Sequence, residues 1–266
     1  MSRLLVCPPD HYRIAYEINP WMRLDRAADP SVARAQWENL TAVLEKDCGA
    51  VLERVTPVEG LPDMVFTANA GIVAGRRAVL SRFRHPERQP EEGHFARWFH
   101  AHGYDLSTVP EGLYFEGAGD LLGFDDVWFG GYGFRSDIRV YQVVSALLGR
   151  EILPVQLVDP RFYHLDTCFC PLSGGDLLWL PAAFDPYAQA VIRDCVGEAK
   201  RIEVPEIEAV RFACNAVCIG RHVVMPEGCP LTMERLASHG YLPHAVGLSE
   251  FIKAGGAAKC LTLALD

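Results

Sequence analysis

The chain contains no stretch approaching the roughly 18 consecutive apolar residues that a membrane-spanning helix needs, so no helical span is expected. It has no basic run. Its 25 lysines and arginines face 34 acidic residues, for a net charge of −9 at pH 7. That balance argues against nucleic acid or an anionic membrane as a partner and is compatible with a small cation. Zinc-like spacing is missing as well. Cys168-Phe169-Cys170 and the pair Cys214 and Cys218 have no second pair and no nearby histidine, so no structural metal is expected. No linker or low-complexity segment interrupts the sequence, and residues 1–266 are expected to form a single domain. The opening Met1-Ser2-Arg3-Leu4-Leu5-Val6-Cys7-Pro8-Pro9 runs directly into a strand and a proline turn rather than a signal peptide. Nine cysteines without framework spacing then read as free thiols of a cytoplasmic protein.

What the chain does have is apolar content, at 50%, and a recurring pattern. A strand is expected at 3–7, and an aromatic loop at 11–22 in which Pro20 breaks any helix. A helix of about 18 residues opens at Pro30-Ser31, with Val32, Ala35, Trp37, Leu40, Val43 and Leu44 as its apolar stripe, and Cys48-Gly49 ends it. A strand at 50–55 follows. Hairpins then repeat: 64–74 with 78–81, 120–123 with 127–129 across a turn at Phe124-Asp125-Asp126, 167–171 with 177–180, and 216–219 with 222–225. The tail, 259–265, is expected to pair with 4–7 and close the set end to end. Helical segments at 91–102, 137–148, 186–196 and 231–239 lie between the hairpins, and lone β-rich stretches such as 151–158 and 201–205 follow them. The reading is an α/β chain of about five ββαβ units with a period near 50 residues, packed radially or as a solenoid.

Polar stretches sit at corresponding edges of these units. They are Leu61-Pro62-Asp63-Met64-Val65-Phe66-Thr67-Ala68-Asn69, Phe115-Glu116-Gly117-Ala118-Gly119-Asp120, Tyr163-His164-Leu165-Asp166-Thr167, and Gly255-Gly256-Ala257-Ala258-Lys259-Cys260. Radial repetition gathers equivalent edges on an axis, and so brings Asp63, Asn69, Glu116, His164, Asp166 and Cys260 together. A cysteine reacts as the thiolate and needs a base or a cation nearby. Histidine is the side-chain type whose ordinary pKa lies near the working range, so His164 suits acid–base work. Glu116 and Asp166 suit a planar cation, which carboxylates grip through paired, charge-assisted hydrogen bonds. Alternation in His164-Leu165-Asp166 puts both polar side chains on one face of an extended segment. Singly, each has a plain structural role available: Glu116 and Asp120 in turns, His164 in the core, Asp166 as a cap.

Together these motifs resemble the guanidine-modifying (pentein, amidinotransferase-fold) superfamily across essentially the whole chain. The resemblance implies a five-bladed α/β propeller with a central site. It implies Cys260 as nucleophile, His164 as general acid and base, and Glu116 and Asp166 as guanidine-binding carboxylates, with Asp63 also at the substrate. Arg88 and Arg135, the latter in Gly131-Tyr132-Gly133-Phe134-Arg135-Ser136, match arginines that hold a substrate α-carboxylate, although Arg82, Arg84 and Arg139 lie close by. Asn19 resembles a substrate-contacting lid residue, with Trp21 and Met22 helping to close the pocket. Asn215 is expected to be structural. One departure matters. Deiminases and dimethylargininases of the superfamily have aspartate where this chain has Asn69, whereas Thr67-Ala68-Asn69 is similar to a run in the dihydrolases, which release both terminal guanidine nitrogens as ammonia and the carbon as carbon dioxide. The expectation is therefore a cysteine hydrolase of arginine or an N-acylarginine, with no metal or organic cofactor and with oligomerisation open. The alternatives are a dimethylargininase or deiminase that stops at citrulline, an amidinotransferase, and a non-catalytic binding module.

Overall fold

The computed structural model describes residues 2–124 and 126–266; Asp125, the centre of one predicted turn, lies outside them. The strands are β1 (Arg3–Val6), β2 (Val51–Arg54), β3 (Gly71–Ala74), β4 (Arg77–Leu80), β5 (Asp105–Thr108), β6 (Leu121–Phe124), β7 (Val127–Tyr132), β8 (Glu151–Gln156), β9 (Phe169–Pro171), β10 (Leu177–Trp179), β11 (Arg201–Glu203), β12 (Val217–Ile219), β13 (His222–Pro226), β14 (Leu242–Val246) and β15 (Leu263–Ala264). They form five three-stranded sheets. In each, the central strand pairs antiparallel with one neighbour and parallel with the other. A parallel pair needs a crossover, and a helix supplies each one: Pro30–Lys46, Glu91–Ala101, Val140–Leu148, Pro186–Cys195 and Pro230–Ser238. The fold is the expected five-bladed α/β propeller. The tail closes it as the sequence implied, Leu4 pairing with Ala264 and Leu5 with Leu263.

The apolar faces of neighbouring blades pack on one another. Phe129 of β7 meets Phe169 of β9 with ring centroids 5.0 Å apart, and Trp179, Phe162 and Phe184 are fully buried in the same cluster. Each such aromatic contributes about 1.5–3 kcal/mol on burial. A three-stranded sheet has too little face to hold its shape alone, so each blade depends on its neighbours.

Several boundaries differ from expectation. Residues 64–74 are not continuous strand. Pro62–Val65 and Thr67–Ala70 are 3-10 turns, and the strand starts at Gly71. The cause is local bonding: Thr67 Oγ1 donates to Leu5 O at 2.9 Å and Asn69 Nδ2 to Glu116 O at 3.0 Å, so these polar side chains bond sideways instead of extending a ladder. The same turn precedes β6 (Gly117–Gly119) and β9 (Leu165–Thr167). The helix expected at 137–148 starts at Val140, because the Asp137 carboxylate is occupied by Arg84 Nη2 at 2.8 Å and Tyr114 N at 2.9 Å. In Pro30–Lys46 the buried stripe is Ala33, Trp37, Leu40, Thr41 and Leu44, while Val32 and Ala35 face outward. Spacings of three and four from Trp37 select Ala33 over its neighbours. Among the described residues no helix is long and apolar enough to cross a membrane, and all nine cysteines are free.

Candidate active site

The repeat fixes where the reactive side chains stand. Glu116 and His164 each lie five residues before the first strand of their unit, at Leu121 and Phe169. Asp166 and Cys260 lie three before theirs, at Phe169 and Leu263, and Asn69 and Asn215 two before Gly71 and Val217. Equivalent backbone positions on different blades thus deliver different chemical groups to one region.

Cys260 is 3% exposed, on the turn between Gly255 and β15. Its thiol donates to Asp166, with Sγ 3.4 Å from Oδ2, and accepts from Asn215 Nδ2 at 3.1 Å. Asn215 Oδ1 accepts from the backbone N–H of Ala257 at 2.9 Å and of Cys260 at 3.1 Å, so one amide holds both the loop and the sulfur. Burial first, then the neighbouring Asp166, pushes the Cys260 thiol well above its ordinary value. Burial likewise pushes Asp166 up to about 7, against the pull of Lys259. Without a ligand the pair is therefore a thiol beside a carboxyl that holds its proton more tightly than usual.

Glu116, fully buried, forms the second group. Its Oε2 accepts from Arg135 Nη1 at 3.0 Å and lies 2.7 Å from His164 Nε2, and its Oε1 accepts from Arg84 N at 3.2 Å. Burial works to raise this carboxyl, but Arg135 and His164 together overcome it and hold Glu116 well below the usual carboxylate range. Asp120 braces the group from behind. Its carboxylate accepts from Ser136 Oγ at 2.7 Å and from Leu165 N at 3.1 Å. The expectation that His164 and Asp166 share a face of an extended segment is corrected: Leu165–Thr167 is a 3-10 turn, and His164 points to Glu116 while Asp166 points to Cys260. Among the described residues no hydrogen bond joins Cys260 to His164.

The third group is Asn69, Arg88, Glu91 and Asp63, all buried. Arg88 is clamped by Glu91 through two bonds, 3.0 and 2.8 Å, and donates to Asn69 Oδ1 at 2.9 Å and Asp63 O at 3.1 Å. Four of its five N–H groups are committed, which leaves one for a ligand. Because arginine only donates, Asn69 must turn Oδ1 toward it and Nδ2 toward Glu116 O. Asp63 Oδ1 is buried without a hydrogen-bond partner.

Ile18, Asn19 and Met22 cover these groups, and Asp63, Phe66, Asn69, Arg88, Arg135, Tyr163, Ala254 and Cys260 line the cavity beneath them. Its room is about 10 Å³, the space of roughly one water. Asn19 lines it, but its side chain is committed to the loop: Nδ2 donates to Ala254 O at 3.0 Å and Oδ1 accepts from Trp21 N at 2.9 Å. Arg135 Nη2 donates to Ile18 O at 2.9 Å and Trp21 Nε1 to Arg161 O at 2.7 Å, two further latches on the same loop. A roomier cavity of about 180 Å³, lined by Leu4, Leu122, Phe169, Ala216, Lys259 and others, holds none of the expected site residues.

Of the nine expected residues, Cys260, Asn69, Asp63, Arg88, Arg135 and Asn19 line the cavity, while Asp166 joins it through Cys260, and Glu116 and His164 join it through Arg135. Sequence reasoning missed the contacts of Asn215 with the sulfur, Glu91 as the partner of Arg88, and Asp120 as a brace. A signal for Asn215 was present, since Asn215-Ala216 stands before β12 as Asn69-Ala70 stands before β3.

No family model matches the chain. It is 48% identical, over 98% of its length, to the bifunctional arginine dihydrolase/ornithine cyclodeaminase ArgZ of a Synechocystis species, but spans 37% of that protein. It is 40% identical to the N(G),N(G)-dimethylarginine dimethylaminohydrolase of Mycobacterium tuberculosis, covering 98% of this chain and 85% of that one. Among solved structures, the N-terminal domain of ArgZ with substrate bound, described as an arginine dihydrolase, superposes with a TM-score of 0.96 at 46% identity over 100% of this chain and 98% of that one.

Proposed function

We propose that this chain, which belongs to the guanidine-modifying pentein superfamily, is a cysteine-dependent hydrolase that takes arginine, or an arginine acylated at its α-nitrogen, to ornithine or its acylated counterpart. For arginine the balance is arginine plus two waters giving ornithine, two ammonia and carbon dioxide. The observation that carries this reading is the convergence of a buried thiol, an imidazole and several carboxylates beneath one loop, in a chain whose relatives include proteins named arginine dihydrolases. We take residues 1–266 as one catalytic domain. Nine free thiols agree with a cytoplasmic setting.

The geometry supports the following roles. A substrate guanidinium entering beside Asp166 and Asp63 is met by two carboxyls that burial holds above their ordinary values. Its positive charge favours their ionised forms and that of the Cys260 thiolate. The free enzyme thus keeps an inert thiol, and the substrate's own charge activates it. Cys260 Sγ attacks the guanidine carbon, and His164, oriented through Nε2 by Glu116, gives a proton to the departing ammonia. Water, deprotonated by His164, cleaves the thiouronium to the ureido product. In the second round the thiolate attacks the ureido carbon, the second ammonia leaves, and water releases a carbamate that loses carbon dioxide. Asn69 distinguishes this course from a single round. One N–H of its amide is held by Glu116 O, and the other is free to donate to the ureido oxygen. The closed cavity requires the loop at 18–22 to open for entry and shut for chemistry.

A second reading, dimethylargininase, is favoured by the 40% identity to the mycobacterial enzyme. One assay separates them. With arginine, N-acylarginine and dimethylarginine supplied in parallel, ammonia, citrulline and ornithine are measured. Two ammonia per ornithine without citrulline accumulation is the expected result with arginine. Stoichiometric citrulline, or turnover of dimethylarginine alone, overturns the dihydrolase.

A further inference from the structure

Outside the central site, Cys48, His222 and His244 place one sulfur and two ring nitrogens within 4.8 Å of one another. Cys48 lies just past the C-terminal end of the helix Pro30–Lys46, and the histidines lie on the adjacent strands β13 and β14. The rings are stacked at 5.1 Å with an interplanar angle of 24°, and His222 Nδ1 is 2.8 Å from His244 Nε2. Two imidazole nitrogens at that separation share a single proton between them. All three side chains are half-buried, so solvent reaches them while the surrounding elements fix them. The nearby Cys218 sulfur is instead held by Ser173 N at 3.3 Å and Gly220 O at 3.5 Å.

We propose that Cys48, His222 and His244 form a zinc site with a fourth, solvent-filled position, tying the C-terminal end of the first helix to the sheet of the neighbouring blade. Thiolate with two imidazoles is a donor set that suits zinc. Tetrahedral zinc with bonds of about 2.0–2.3 Å sets its donors roughly 3.3–3.7 Å apart. From 2.8 Å the histidine nitrogens must part by about half an ångström, and from within 4.8 Å the sulfur must close by up to about an ångström, both as side-chain rotations. Cys48 also stands at the C-terminal end of that helix, where the helix dipole carries partial negative charge. On binding, the thiol proton and the proton shared between the rings rearrange so that sulfur and one nitrogen of each ring face the metal, and the thiol proton passes to solvent. The spacing of cysteines along the chain hid this site, because its ligands lie at 48, 222 and 244.

Cobalt(II) is the probe, added to reduced, tag-free, chelator-dialysed protein. One cobalt per chain with a thiolate-to-metal charge-transfer band, displaced by zinc, is expected. Cys48→Ser abolishes the band. His244→Ala and His222→Ala each weaken binding by more than the roughly 10- to 100-fold typical of losing an outer-shell partner. Cys260→Ser leaves the band in place, and zinc raises the melting temperature of wild type but not of His244→Ala. Absence of a thiolate band in wild type, its survival in Cys48→Ser, or its loss in Cys260→Ser overturns the assignment. The readout is metal binding, so its failure leaves the guanidine reading untouched.

Discussion

Asn69→Asp changes one atom's hydrogen-bonding sense at the point where one hydrolytic round is to be distinguished from two. Asn69 Oδ1 accepts from Arg88 at 2.9 Å, a bond that aspartate keeps. Its Nδ2 donates to Glu116 O at 3.0 Å, and there aspartate sets oxygen against oxygen. Leaving a buried carbonyl unpaired costs about 1–3 kcal/mol, which lowers the melting temperature by about 2–4 °C per kcal/mol in a chain of this size. The same 1–3 kcal/mol, applied to the ureido oxygen that the amide would hold, is roughly a 5- to 150-fold loss in retention of the intermediate. The variant is therefore expected to remain folded, to release citrulline, and to shift the ornithine-to-citrulline ratio by a factor in that range. Quenched-flow amino-acid analysis with parallel ammonia determination measures it. A fall in melting temperature with an unchanged product ratio refutes the switch, because it shows that the amide serves the Glu116 carbonyl alone.

Cys260 is expected to react slowly with chloroacetamide at neutral pH, since burial and Asp166 hold it as a thiol, and at least about tenfold faster with chloroacetamidine, whose cation favours the thiolate; equal rates in competition with arginine count against substrate-assisted activation. Gly119→Ala places a Cβ 2.3 Å from Asn69 Nδ2 and 3.4 Å from His164 Cγ, so activity with arginine is expected to fall by about two orders of magnitude, as for a misplaced catalytic group, whereas Gly197→Ala, with open space around its Cβ and no positive φ, is expected to keep it. Asp166 has an ordinary value of 3.8 and a folded value of about 7. A carboxyl raised in the folded state contributes stability at low pH and loses it as pH rises through the folded value. Asp166→Asn, which keeps an acceptor for the thiol, is therefore expected to flatten the fall in melting temperature between about pH 4 and 7; parallel curves for the two proteins sink that assignment.

The blades were legible because their hairpins and crossover helices carry hydropathic patterns of period two and 3.6. The 3-10 turns were not, because three or four residues with i to i+3 bonds leave no periodic trace. That limit decided which site residues could be read. Cys260, His164, Glu116 and Asp166 announced themselves by chemistry, whatever the strand boundaries. Asn215 has ordinary chemistry, and its meaning lies in standing two residues before a strand, as Asn69 does. With the first hairpin's strand started at 64 and the fourth's at 216, that equivalence was lost, and the residue bonded to the sulfur was read as structural. Asp120 offered no more than a possible turn role for a similar reason: its partners, Ser136 and Leu165, come from two other segments.

The same geometry explains why one small fold can hold so many mismatched groups. A ring of five near-equivalent edges delivers a carboxylate, an imidazole, a thiol and two amides to one region without any blade carrying more than a few of them. At the positions matching Glu116 and His164, five residues before the strand, the remaining units carry Phe66, Phe212 and Ala258. Phe212 is the one non-glycine residue with positive φ among the described residues, at 65°, and it packs on Trp21 of the covering loop with ring centroids 4.8 Å apart. Phe66 lines the cavity and would collide with any Cβ on Gly256, at 2.6 Å. The units of Phe66, Phe212 and Ala258 also carry Asn69, Asn215 and Cys260 two or three residues nearer their strands, so every unit brings a polar group, while Phe66 lines the cavity and Phe212 backs its covering loop. On this argument, exchanging Phe66 or Phe212 for a polar side chain is expected to loosen the cover of the cavity before it adds a reactive group.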